Sequence, residues 1–216
     1  MKFNEYEYKR PDYDEVKVRY HELIGFFNKA ENADEQYSYV RKINELDKEV
    51  ETMISLVYVR NSINTADEFY DGENEYIDMI SPKFHGLRVE FYKALLNSGF
   101  KDELKKMVMP QLFTIAEMEI KTYSDEVVPL LQEENKLVSM YNKLISSAKI
   151  NFDGKILNLS QMQPYMESKD RSVRKDAYDK WTVFFRENEE EIDMIYDKMV
   201  KVRNEIALKL GFKNFV

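Results

Sequence analysis

The 216 residues contain no cysteine, two histidines and one tryptophan, and glycine and proline number only 6 and 5. Each shortage excludes something. Without cysteine there is no disulfide, no thiolate metal ligand and no thiol nucleophile, which fits a reducing compartment, and we place the chain in the cytoplasm. With so few glycines and prolines, long helices are favoured over many short strands separated by turns. Positive charge is also short: 40 acidic against 32 basic residues leave a net charge of −8, which argues against a nucleic-acid partner held through phosphates. No apolar run approaches the length of a membrane span, and MKFNEYEYKRPDYDE lacks the apolar core of a secretory signal, so no membrane partner is expected.

What is present is apolar periodicity. Hydrophobic residues make up 44% of the chain, enough for a real core. The fold class they predict is mostly α, an antiparallel helical array with one small β-hairpin near residues 149–159. Pro11 and Asp12 open a first helix with Val16, Tyr20, Leu23 and Phe27 on one stripe. A long second helix carries Ile43, Leu46, Val50, Met53 and Val57 as a seam for a neighbour. A shorter acidic helix follows around EFYDGENEYIDMI, and after Ser81 and Pro82 another places Phe84, Leu87, Phe91 and Leu95 on one face. Pro110 starts a further helix, and Asp125 is positioned to cap a long one through Leu137, Met140, Leu144 and Ala148. The period then changes to two around Ile150 and Phe152, with Asp153-Gly154 as the turn of a hairpin. Two last helices carry Val173, Ala177, Trp181 and Phe184, starting near Ser168 to Asp170, and Ile192, Ile195, Met199, Val202 and Ile206. The ENEEEID run reads as a solvated first turn, and Gly211 as the left-handed residue past the last helix with Phe212 packing back.

The residues offer little acid-base or nucleophilic chemistry. His21 lies in HELIG, which begins like the HExxH motif of zinc proteases, but position 25 is Gly, so the second ligand is missing. His85, in SPKFHGLR, has no Glu three residues away, and an ordinary structural or surface role is expected for both histidines. Glu117, Glu119, Glu133 and Glu134 are read as solvated or surface-paired carboxylates in an acidic chain. No phosphate loop, nucleophile elbow or Ser/His/Asp arrangement is visible. The 15 tyrosines and 13 phenylalanines are read first as packing at helix interfaces and second as a surface for peptide contact.

Longer stretches resemble one known family. ESKDRSVRKDAYDKWTVFF and DKMVKVRNEIALKLGFKNFV, preceded by KINFDGKILNLSQMQPYMES, look like consecutive segments of the oligoendopeptidase F group of the thimet-type zinc metallopeptidases. MKFNEYEYKRP, NTADEFYDGENEYID and LLQEENKLVSMYNKLISSAKI resemble that group's amino-terminal region, in the same order, so the likeness covers essentially all of 1–216. The resemblance implies a helical enzyme whose two halves enclose a channel that admits short peptides, with zinc held by an HExxH helix and a downstream Glu. No position of 1–216 matches those residues, so the expectation is no catalytic, cofactor-binding or metal-ligating residue in this span, with zinc confined to the longer parent.

The expected domain is therefore 1–216, an amino-terminal helical region lacking the catalytic half, and the chain is expected to be a piece of a longer peptidase. The alternative is a free-standing helical interaction module derived from that fold. A severed half is expected to expose apolar surface and to self-associate.

Overall fold

Asp12 begins the first helix: its side chain accepts the Glu15 amide at 2.9 Å, and α1 runs over Tyr13–Lys29. The computed structural model describes residues 3–216; Met1 and Lys2, which open the MKFNEYEYKRP stretch, lie outside the described residues. Val16, Tyr20 and Phe27 are buried on the anticipated stripe of α1, with Leu23 half-buried. Asn32 caps α2 (Ala33–Ile63) by accepting the Glu35 amide. Its seam buries Ile43, Leu46, Val50 and Val57, but Ile54 takes the place anticipated for Met53. A straight α-helix drifts by about 20° per heptad against a strict repeat, so a seam this long moves to the adjacent residue.

The third element corrects the sequence reading. The acidic segment and the segment after Pro82 form one helix, α3 (Glu68–Leu96), with Pro82 inside it. Proline removes the amide that would bond the carbonyl of residue 78. The side chain of Asn135, from a neighbouring helix, donates to that Asp78 carbonyl at 3.0 Å and to Ser81 Oγ at 3.2 Å, and Gln132 donates to the Met79 carbonyl. The helix survives because another element supplies the missing donor. Phe84, Leu87, Phe91 and Leu95 are buried on one face as the spacing requires.

A short helix not anticipated from the sequence, α4 (Lys101–Met107), buries Leu104, and α5 (Gln111–Lys121) follows Pro110 and buries Phe113 and Ala116. Asp125 does not cap the long helix after it. Residues Asp125–Val127 form a 3-10 turn, and α6 (Val128–Ser146) starts beyond it with Pro129 in its first turn, where a fixed φ and a missing amide cost nothing.

The helices α1 to α5 enclose one core, in which Phe27, Val57, Ile77, Leu95 and Leu104 are wholly buried. Each such side chain contributes about 1.5–3 kcal/mol. A polar tie crosses the core edge: Tyr20 of α1 donates to Asp47 of α2, and Arg88 of α3 donates to Glu51 at 2.6 Å. The amino-terminal arm is pinned to α3 at Glu73, which is only 4% exposed and accepts from Tyr8 and from the Arg10 guanidinium.

A second, smaller core follows. Strands β1 (Ile150–Phe152) and β2 (Lys155–Leu157) pair antiparallel, with Ile150 opposite Leu157. Asp153 and Gly154 both take positive φ, 50° and 69°, as a two-residue turn demands. The helix α7 (Leu159–Met166) is not expected from the sequence, because Leu157 and Leu159 alternate with Asn158 and extend the strand pattern into the helix. Asn158 and Gln161 form a capping box there. Met162 of α7 and Ala177 of α8 (Arg171–Glu187) pack against Ile150, Phe152 and Leu157. The last helix, α9 (Glu189–Lys209), starts with Glu189, Glu190 and Glu191 in its first turn and lies along α6, joined by Arg203 to Glu134 at 2.7 Å. Past it Gly211 adopts φ 84°, and the Phe212 amide reaches back to the Ala207 carbonyl at 2.9 Å.

Candidate functional site

The two histidines end up on carboxylates of distant elements. His21 on α1 meets Glu90 of α3 at 2.9 Å on the surface. His85 on α3 meets Glu119 of α5, half-buried, a partner no sequence spacing indicates. Beside it the Tyr123 ring lies 4.9 Å from the imidazole, its hydroxyl pushed up to about 12 by burial. The ring passes so close to Gly86 that a β-carbon there would sit 2.3 Å from the Tyr123 oxygen. This group fastens α5 to α3 through a packed, glycine-dependent contact. Glu117 lies 3.9 Å from Lys101, and Glu134 joins α6 to α9 rather than pairing along its own helix. Among the described residues no group of three or more His, Asp or Glu side chains is placed to hold a metal ion.

The most site-like feature lies away from both histidines. A cleft of about 940 Å³ opens between the end of α2, the first half of α3 and α6. It is larger than two grooves beside α1, of about 600 and 510 Å³. Its floor is polar, built on Asn74 and Asp78 of α3. Asp78, 6% exposed, accepts from Ser139 of α6 and from Asn74 at 3.3 Å, and Asn74 donates also to Ser139 at 3.0 Å. Burial raises the Asp78 carboxyl from its ordinary 3.8 to about 6. Among the described residues no Lys, Arg or His forms an ion pair with it.

On the α2 wall of the same cleft the Asn61 side-chain nitrogen is buried without a hydrogen-bond partner. Tyr58, Met79, Val138 and Ile145 add apolar surface, and Lys143 is held by Asp71 at 2.7 Å near the cleft's edge. The sequence does carry one signal of this site. Asn74 and Asp78 are one turn apart and interrupt the buried stripe of Ile77 and Ile80, a polar pair where core residues are due.

Taken together, the fold and cleft define a mostly helical domain whose elements pack around two cores, with a polar-floored groove along α3. The chain belongs to the peptidase M3 family: the Peptidase M3 N-terminal domain matches residues 3–123. Solved relatives extend the likeness over the whole chain. PZ peptidase A, solved with an inhibitor, is 46% identical with a TM-score of 0.96, matching 100% of this chain and 38% of its own. A candidate oligoendopeptidase F from Bacillus anthracis str. Ames is also 46% identical at 0.96, over 100% of this chain and 40% of its own. Oligoendopeptidase-F from Enterococcus faecium shares the fold at 14% identity and a TM-score of 0.53, over 93% of this chain and 44% of its own. The chain thus spans about two fifths of the length of these relatives. No protein with a curated description matches.

Proposed function

We propose that residues 1–216 form one amino-terminal helical region of a zinc-dependent oligoendopeptidase, a wall of the channel in which short peptides are cleaved. The observation that carries this reading is the superposition of the entire chain on peptidases of which it covers 38% to 40% at 44% to 46% identity. In this reading the segment selects substrates sterically, and the reacting groups lie elsewhere in the protein. Among the described residues no three candidate ligands converge, so their donor set does not fit zinc, and no catalytic step is assigned to this span.

Side chains on the last two helices support a neighbour for this region. Tyr178 and Val183 of α8 and Met194, Tyr196, Val200 and Leu208 of α9 are large, apolar and exposed. Such surface is normally covered by a partner or a further part of the same protein. The cytoplasm remains our placement: the chain has no cysteine, and no helix of the described residues is long and apolar enough to cross a membrane.

The test is a chimera. Residues 1–216 replace the matching part of the 46%-identical PZ peptidase A, and hydrolysis of a short quenched-fluorescent peptide is measured with the zinc content. The expected result is a folded, zinc-loaded chimera that cleaves the peptide, and no cleavage or stoichiometric zinc with 1–216 alone. A folded, zinc-loaded but inactive chimera, or a peptidase activity of 1–216 alone, would overturn the reading.

A further inference from the structure

We propose that the cleft between α2, α3 and α6 is a binding site for the cationic group of a peptide, an amino terminus or a Lys or Arg side chain, seated on Asp78. Three observations meet there. A carboxylate is held in a nearly buried position with hydrogen bonds from Ser139 and Asn74 but no cation among the described residues. A buried amide nitrogen, Asn61 Nδ2, has a hydrogen to give and no acceptor among the described residues. Both line one cleft of about 940 Å³, large enough for several peptide residues, whose Tyr58, Met79 and Val138 offer apolar contact.

A peptide supplies what these groups lack. Its ammonium or guanidinium gives Asp78 a charged partner, its carbonyl oxygens accept from Asn61 once that buried amide turns toward the cleft, and its side chains cover the apolar wall. Buried carboxylates are ordinarily paired, and leaving one unpaired in an accessible cleft costs stability that an apolar or amide residue would spare. The shift of Asp78 toward about 6 is the signature of that cost. Lys143 does not answer it, because it is engaged with Asp71. Among the described residues the remaining charged groups of the cleft are Glu75 and Lys136, both exposed, which leaves Asp78 as the one buried charge on its floor. The inference rests on the cleft and not on the peptidase reading; the parent can hydrolyse peptides whether or not this cleft holds one.

The experiment is fluorescence anisotropy of the 216-residue chain with three carboxy-terminally labelled peptides of otherwise identical sequence. One has a free amino terminus and norleucine, one an acetylated terminus and lysine, and one an acetylated terminus and norleucine. One or both cationic peptides are expected to bind about tenfold or more tightly than the neutral one, the size of a charge-assisted hydrogen bond. Which of the two does so identifies the source of the cation. Asp78→Asn is expected to abolish the preference, whereas Glu75→Gln, which removes an exposed charge at the same cleft, leaves most of it. Equal affinity for all three peptides overturns the proposal on the unaltered protein, without any variant having to fold. So does a preference lost equally in E75Q and D78N, which would mark attraction to the general negative field of the chain.

Discussion

Asp78 occupies a core position of α3 with 6% of its surface exposed, and its carboxyl is raised to about 6. The folded state therefore keeps a proton that the unfolded chain releases at about pH 4. Stability falls as pH rises between about 4 and 6, and above 6 the cost is complete, on the order of 3 kcal/mol at most. Asp47, also raised by burial, acts in the same direction, so the informative quantity is the difference between the protein and its variant. Asp78→Asn keeps an acceptor for Ser139 and loses the charge; urea unfolding is expected to show it about 1–3 kcal/mol more stable at pH 7.5 and nearly unchanged at pH 4. A variant less stable at pH 7.5 would show that the carboxylate is better solvated than its burial indicates. Stabilisation together with lost peptide preference would place Asp78 among residues kept at a cost to the fold.

The elements show where local signals suffice and where they fail. The helix starts at Asp12 and Asp170 and the turn at Asp153-Gly154 lie where the sequence indicates, because each is satisfied within a few residues of itself. Pro82 misleads for the opposite reason: the donor that rescues α3 comes from Asn135, 57 residues away. Asn135→Ala is expected to cost about 1–2 kcal/mol, since it orphans the Asp78 carbonyl. Pro82→Ala restores the helix's own amide, so the same substitution made in that background is expected to cost clearly less. An equal cost in both backgrounds would mean that Asn135 acts by packing alone. The short helices α4 and α7 escape notice because one or two turns hold too few apolar positions to establish a period.

At the scale of the whole molecule, the apolar side chains left on α8 and α9 predict behaviour in solution. The isolated chain is expected to self-associate with rising concentration in sedimentation and to bind a hydrophobic dye. Tyr196→Lys with Leu208→Glu, at positions 70% and 63% exposed, is expected to shift it toward monomer with its helix content intact. A monomer at all concentrations before substitution would show that this surface is tolerated bare. The helical class, the hairpin and the family were all legible in the sequence, since periodicity, turn chemistry and ordered motifs are local or linear properties of the chain. Tertiary structure alone decided that α3 is one helix, that His85 meets Glu119, and that Asn61, Asp78 and Ser139 share a cleft. These depend on which faces of α2, α3, α5 and α6 pack together, and helices distant in sequence settle that only by burying their apolar stripes against one another.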